Sequence, residues 1–292
     1  MTRLNANLLL LLAGAVWGMG FVAQSTAMAS VGPWTFNAAK FLLAALSVLP
    51  FAVIEARRAP RSLPRAEWRG FAGIGAMLFA GSILQQIGIT STSVTNSGFL
   101  TGLYVVFTPI LGLLILGQRP HWIVWPCALA AFVGIVLVGG GSIGALNAGD
   151  TLVILCAAFF ALQILFVGRF ALSSGRPMTL SFIQFAVTAG LSGVGVLTLE
   201  TPSLQGLGGA WMEIVYGGVF STGLAFTLQV VAQRYTTPPQ AAIFLSSEAL
   251  FAALFAAFLL GERIALIGVL GCGLIFAAML AVEIVPARRR TP

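Results

Sequence analysis

Apolar residues along this chain come in long runs separated by short stretches of charge, Pro and Gly. Ten runs stand out, at about 6–29, 34–55, 68–89, 94–116, 121–140, 150–171, 178–199, 210–233, 239–260 and 264–285. A helix needs roughly 20 apolar residues to cross a hydrocarbon core of about 30 Å, and each run is close to that length. The pattern predicts an all-α polytopic membrane protein with ten transmembrane helices. The first run resembles a signal peptide, with Arg3, a leucine run and then Ala27-Met28-Ala29. It is longer than an ordinary signal-peptide core and has a counterpart later in the chain, so it is expected to be retained.

Composition supports the same class. Charged residues make up 8% of the 292 and hydrophobic residues 59%, with a mean hydropathy of +1.00. A soluble domain carries about 25% charge. The net charge of +7 does not point to nucleic acid, because its distribution follows the helices. With the N-terminus in the cytoplasm, Arg3, Arg57, Arg58, Arg61, Arg65, Arg69, Arg119, Arg169, Arg176, Arg234 and Arg288 to Arg290 all fall inside. Arg263 falls outside, and the outer connections carry Asp150, Glu200 and Glu213. Arginine asymmetry of short loops is the orientation signal of membrane proteins. Trp34, Trp68, Trp122, Trp125 and Trp211 lie near predicted helix ends, where interfacial anchors belong, whereas Trp17 lies mid-helix. Cys127, Cys156 and Cys272 sit in apolar runs at unrelated spacings. They suit neither a metal site nor a disulfide framework.

The two halves of the chain align at a constant offset of 144. Pro33 matches Pro177, Thr35 Thr179, Phe41 Phe185, Gly73 Gly217, Gln85 Gln229, Thr92 Thr236 and Gly117 Gly261. The expected division is residues 1–144 and 145–292, five helices each. An odd number of helices inverts the second half relative to the first. Inverted repeats are a recurring plan of secondary transporters, with substrate held near the midplane between the halves.

Trp17-Gly18 in the first helix, Lys40 in the second and Gly261-Glu262 closing the ninth resemble the EamA-type members of the drug/metabolite transporter superfamily. Within it the chain is similar to the YddG group of amino-acid exporters. The resemblance implies ten helices in a bacterial inner membrane, both termini cytoplasmic, and efflux of small metabolites, for that group aromatic and other neutral amino acids. Gln118 stands where the repeat mate is Glu262, so the first-half Gly-Glu ending is absent.

Lys40 and Glu248 are the charged residues deep inside predicted helices. Lys40 lies roughly 10 Å in from Pro33 and Glu248 roughly 13 Å in from Pro239, at 1.5 Å per residue. A charge at such depth costs at least about 2.5–3.5 kcal/mol on insertion scales. Two readings follow for Glu248. It is fixed structurally, by Lys40 or by Ser246, Ser247 or backbone, or it faces a cavity, contacting a substrate ammonium or taking a proton. Lys40 reads more naturally as structural, since its long stem can reach several partners.

Ser97, Thr101, Tyr104 and Thr108 are spaced four, three and four apart, which puts them on one face of a continuous fourth helix. Tyr104 is the repeat mate of Glu248. The stripe either packs against another helix or faces the carboxylate across a central site. Trp17, flanked by Gly14, Gly18 and Gly20, either packs closely or stacks on substrate. Gln85 and Gln229 are repeat mates offset toward opposite faces, suited to gating or to hydrogen bonds between helices. Pro109 and Pro126 interrupt helices without repeat mates and allow bending.

The candidate substrate-binding set is therefore Trp17, Ser97, Thr101, Tyr104 and Glu248, with Lys40, Gln85 and Gln229 as gating or structural polar residues. The expected partners are a small-molecule substrate, amino acids first, and the lipid bilayer, with no cofactor, metal or nucleic acid. Export of other metabolites or drug-like cations, or a passive channel, are the alternatives. An enzyme is disfavoured, because the single His121 and the single Asp150 assemble no nucleophile–base pair or metal site.

Overall fold

Without water in the hydrocarbon core, a backbone N–H or C=O must find its partner within the segment, and an isolated span meets this as a helix. The computed structural model describes residues 1–138, 147–261 and 266–288. The expected half boundary, Glu262, Arg263 and Arg289 to Arg290 lie outside the described residues. Among the described residues nine helical stretches are long and apolar enough to cross a membrane, and Val124–Val138 is a shorter tenth. Bounds follow the apolar runs closely. α1 is Arg3–Ala27, α2 Pro33–Arg58 and α3 Arg65–Gly88. α6 is Val124–Val138, α7 Ala148–Ser174, α8 Pro177–Leu199 and α14 Leu266–Arg288.

Three spans depart from a simple helix. The fourth is α4 (Val94–Thr101) followed by α5 (Tyr104–Leu116). The ninth is α12 (Pro238–Leu245) followed by α13 (Ser247–Leu260). The breaks are repeat mates, since Thr101 and Leu245 are 144 apart. After a short α9 (Leu204–Gly209), the eighth span begins as α10 (Trp211–Val215), widens into a π-helix over Tyr216–Leu224 and continues as α11 (Ala225–Ala232). The break corrects the expectation of one polar stripe. Gly102 and Leu103 interrupt the helix, so Thr101 and Tyr104 no longer share the phase of a continuous helix.

Helix ends are set by residues suited to them. Asn147 and Asp150 form a reciprocal capping box at the start of α7. Gly117, Gly175 and Gly261 close α5, α7 and α13 with φ of 61°, 66° and 70°, a conformation nearly free to Gly alone. α2 and α8 both begin with Pro at the first turn, where its missing N–H is harmless. They lie against each other with Phe41 and Phe185 rings 6.2 Å apart. Asn37 Nδ2 donates to Ser192 Oγ at 2.9 Å.

Each end of this pair carries the same clamp. Glu200, just past α8, accepts from the Trp34 and Thr35 amides at 3.0 and 2.8 Å and from Thr35 Oγ1 at 2.7 Å. Glu55, near the end of α2, accepts from the Met178 and Thr179 amides at 3.1 and 2.8 Å and from Thr179 Oγ1 at 2.7 Å. A carboxylate here satisfies two orphan amides and sits at the positive end of the helix dipole.

Small residues bring other helices together. A Cβ on Gly18 would lie 2.7 Å from the Ala252 amide of α13, and one on Gly134 of α6 would lie 2.7 Å from the Gly271 carbonyl of α14. Trp68, Trp122, Trp125 and Trp211 are exposed near helix ends. Trp34 instead packs inward over Gly195, with its ring 6.0 Å from Phe79. All three cysteines are free thiols.

Two outcomes follow for stability in detergent. Glu55→Ala and Glu200→Ala should each lower the unfolding free energy by about 1–3 kcal/mol. Roughly 35 Å of helix separates them, so the double variant should be close to additive; thermal unfolding of the purified protein checks both. Gly18→Ala should destabilise by about 1–3 kcal/mol through overpacking. Gly190→Ala, whose added Cβ meets no atom within 4 Å, should leave stability unchanged or raise it by up to about 1 kcal/mol.

Candidate functional site

The two broken spans, the π-helix and the middles of α1, α2, α3 and α7 surround one central cavity, with a volume of about 50 Å³ open to water-sized groups. It draws on both halves. Trp17, Phe21 and Gln24 come from α1, Lys40 and Phe41 from α2, Ser82 and Gln85 from α3, and Tyr104 from the start of α5. Phe160, Gln163 and Ile164 come from α7, Ser221 and Thr222 from the π-helix, Phe226 and Gln229 from α11, and Glu248 from α13. Aromatic rings supply most of the apolar wall.

Glu248 lies in the first turn of α13, beside the break, where the N-terminal end of a half-helix favours negative charge. It is 3% exposed. Tyr104, its repeat mate, starts α5 at the matching break and comes within reach of the carboxylate. Neither Tyr104 Oη nor Glu248 Oε1 has a hydrogen-bond partner of good geometry. Ser246 does not hold the carboxylate, because its Oγ donates to the Ile243 carbonyl at 2.8 Å. Ser247 Oγ is also unpartnered.

Lys40 does not hold it either. Lys40 Nζ donates to Gln24 Oε1 at 2.9 Å and to Gln86 Oε1 at 3.3 Å. The same nitrogen lies 5.2 and 5.5 Å from the Phe36 and Phe41 ring centres. Among the described residues the ion pairs are Arg3–Glu283 at 3.1 Å and Arg61–Glu67 at 2.9 Å. A fixed Lys40–Glu248 pair is therefore not formed, and both charges face the cavity separately.

Trp17 is tied to the π-helix. Its Nε1 donates to the Ser221 carbonyl at 2.8 Å, and its ring centre is 4.5 Å from that of Phe226. The neighbouring Val16 carbonyl accepts from Tyr216 Oη at 3.0 Å. A π-helix offsets its carbonyls from the α-helical ladder, and such segments cluster at functional sites. Gly218 lets this wide turn sit on α2, since a Cβ there would lie 2.9 Å from the Lys40 carbonyl.

Six of the eight residues singled out in the sequence thus meet in one wall: Trp17, Lys40, Gln85, Tyr104, Gln229 and Glu248. Thr101 and Ser97 do not line it. Thr101 Oγ1 accepts from Gln85 Nε2 at 3.0 Å and lies 3.8 Å from Cys156 Sγ, so it braces the wall from behind. Ser97 is fully buried with an unpartnered hydroxyl. Gln229 Nε2 donates to Gln163 Oε1 and Gln233 Oε1 at 3.1 and 3.0 Å, and Gln163 Nε2 donates to Gln184 Oε1 at 3.1 Å. This glutamine cluster and the aromatic residues Phe21, Phe41, Phe160 and Phe226 escaped the sequence reading. Apolar side chains inside apolar runs carry no mark of facing a cavity. Gln163 and Gln184, polar in mid-span, were the available signal.

Known proteins with similar sequence agree with this architecture. The EamA-like transporter family model matches residues 4–140 and again residues 147–283. An uncharacterised transporter of Archaeoglobus fulgidus is 30% identical over 282 residues, which cover 97% of this chain and 87% of that protein. One protein of known crystal structure superposes with a TM-score of 0.79 over the whole of both chains at 19% identity, a likeness of fold alone. The chain is a multi-pass membrane transporter rather than an enzyme. With two copies of the repeat covering nearly its whole length, it belongs to the EamA-like transporter family.

Proposed function

We propose that this protein is a secondary transporter that exports small neutral metabolites, specifically aromatic and other neutral amino acids, by alternating access between its two inverted repeats. The observation that carries this reading is the central cavity, to which both repeats contribute and whose wall combines aromatic rings with polar side chains. Trp17 and Tyr104 offer ring surface to an apolar side chain, and Glu248 offers a charge to the polar end. Thr101 acts through Gln85, and Ser97 shapes the packing behind α4. Lys40, Gln85 and Gln229 are the gating or structural polar groups of the same wall.

The repeats divide near residue 144. The arginine-rich face, with Arg3, Arg58, Arg65, Arg176 and Arg234, is the cytoplasmic one by the positive-inside rule. Both termini then lie in the cytoplasm and the membrane is a bacterial inner membrane.

Counterflow into liposomes holding the purified protein tests this reading. Vesicles loaded with unlabelled amino acids should accumulate labelled phenylalanine or threonine saturably. Trp17→Ala should raise the half-saturating phenylalanine concentration roughly tenfold, from lost burial of about 1.5–3 kcal/mol. Uptake that does not saturate would indicate a pore, and no uptake of any amino acid would remove this substrate class.

A further inference from the structure

The hydrogen-bonding groups around the cavity are out of balance. Several of its donors are engaged: Lys40 Nζ with two glutamine oxygens, Gln85 Nε2 with Thr101, Gln229 Nε2 with two more glutamines, and Trp17 Nε1 with the Ser221 carbonyl. Two of its acceptors are not: Glu248 Oε1 and Gln229 Oε1 are buried in the wall without partners, and the Tyr104 hydroxyl lies within reach of the Glu248 carboxylate. A buried oxygen without a donor is costly to maintain, and more so when it is charged. A carboxyl oxygen and an amide oxygen without donors, with a phenol hydroxyl beside the carboxyl, can accept from the N–H groups of a cation.

A carboxylate finds no such welcome. The cation in this wall, Lys40, already has Gln24, Gln86 and the Phe36 and Phe41 ring faces around its nitrogen. An anion there would share a nitrogen already held by two glutamine oxygens, whereas an ammonium at Glu248 meets an oxygen that has no donor.

We propose that the cavity recognises a primary ammonium group, received by Glu248, Tyr104 and Gln229, and makes no equivalent provision for a carboxylate. This deepens the export reading and rests on it for the location of the site. The substrate class then extends from amino acids to primary monoamines with an aromatic or branched apolar tail.

Three ligands with one tail separate the possibilities: phenylalanine, phenethylamine and 3-phenylpropionate, each added at neutral pH to the purified full-length protein. Phenethylamine and phenylalanine should raise the melting temperature and compete in counterflow, and 3-phenylpropionate should do neither. Glu248→Gln should weaken phenethylamine binding at least about tenfold, and Tyr104→Phe about threefold to tenfold. The melting temperature without ligand reports whether each variant is folded. Should Glu248→Gln fail to fold, the three ligands on the wild-type protein and on Tyr104→Phe still decide. Equal binding of 3-phenylpropionate and phenethylamine would overturn the proposal, as would unchanged affinity in folded Glu248→Gln or binding of none of the three. If phenethylamine binds and phenylalanine is not carried, the amino-acid reading falls and ammonium recognition stands. If phenylalanine is carried and phenethylamine does not bind, ammonium recognition falls and amino-acid export stands.

Discussion

The hydrocarbon interior offers a polar group no hydrogen-bond partner, so this chain must supply its own. That constraint sorts the side chains. Polar residues gather where partners can be assembled, and the surfaces between are left to Leu, Val, Ala and Phe. One cluster joins α1, α12 and α14. There Arg3 meets Glu283, Asn7 Nδ2 donates to Glu283 Oε2 at 2.7 Å, and Gln240 bonds both Arg3 and Glu283. Another joins α7 to the turn between α3 and α4, where Thr92 Oγ1 donates to Asp150 Oδ1 at 2.7 Å and Asn147 Nδ2 to the Ser91 carbonyl at 3.0 Å. The rule is left incomplete at several buried side chains, Ser97, Ser181 and Ser247 among them, and in the cavity wall at Glu248 and Gln229.

The same constraint separates frame from site. α2 and α8 are fastened at both ends by Glu200 and Glu55, and along their length by Asn37 with Ser192. Nothing in that pair is broken or widened. The irregular backbone lies around the cavity instead, at the α4–α5 and α12–α13 breaks and in the π-helix. Discontinuous helices facing each other at mid-depth suit transporters, because half-helix ends present their dipoles to whatever is bound. Glu248 uses this directly. Its position in the first turn of α13 offsets part of the insertion cost of a charge in that layer.

Much of this was legible in the sequence. Runs of about 20 apolar residues mark spans almost by length alone, so the second was expected at 34–55 and is found at Pro33–Arg58. The offset of 144 aligned Pro33 with Pro177 and Thr35 with Thr179, yet it did not reveal that each Thr is held by a carboxylate from the opposite half. Glu55 and Glu200 are 145 apart and sit at helix ends, where a water-exposed reading is equally natural. Rare buried polar residues pointed to the cavity with some success, because burying Glu248, Lys40 or Gln229 in lipid is costly. Thr101 and Ser97 misled because the stripe assumed an unbroken helix, and hydropathy is blind to a one-turn break at Gly102. The π-helix was invisible for the same reason: widening a turn changes hydrogen-bond register without changing which residues are apolar.

The repeat also explains why the polar side chains of the site are unequal. An exact duplication would place the same group at both mates of every pair, and the inward-open and outward-open forms would then be equivalent. Here the paired breaks are duplicated, the π-helix of the eighth span has no counterpart in α3, and the chemistry of the mates differs. Lys40 has Gln184 as its mate, Glu248 has Tyr104, and Pro109 has Ala253. Under the alternating-access proposal, related halves would supply two conformations of comparable energy, as a carrier needs in order to exchange them. The unmatched charges act on that balance, since each meets different neighbours when the halves exchange roles. A ligand with differential affinity for the two forms shifts their populations. Under the alternating-access proposal such a difference would arise from Glu248 and Lys40, whose repeat mates are Tyr104 and Gln184.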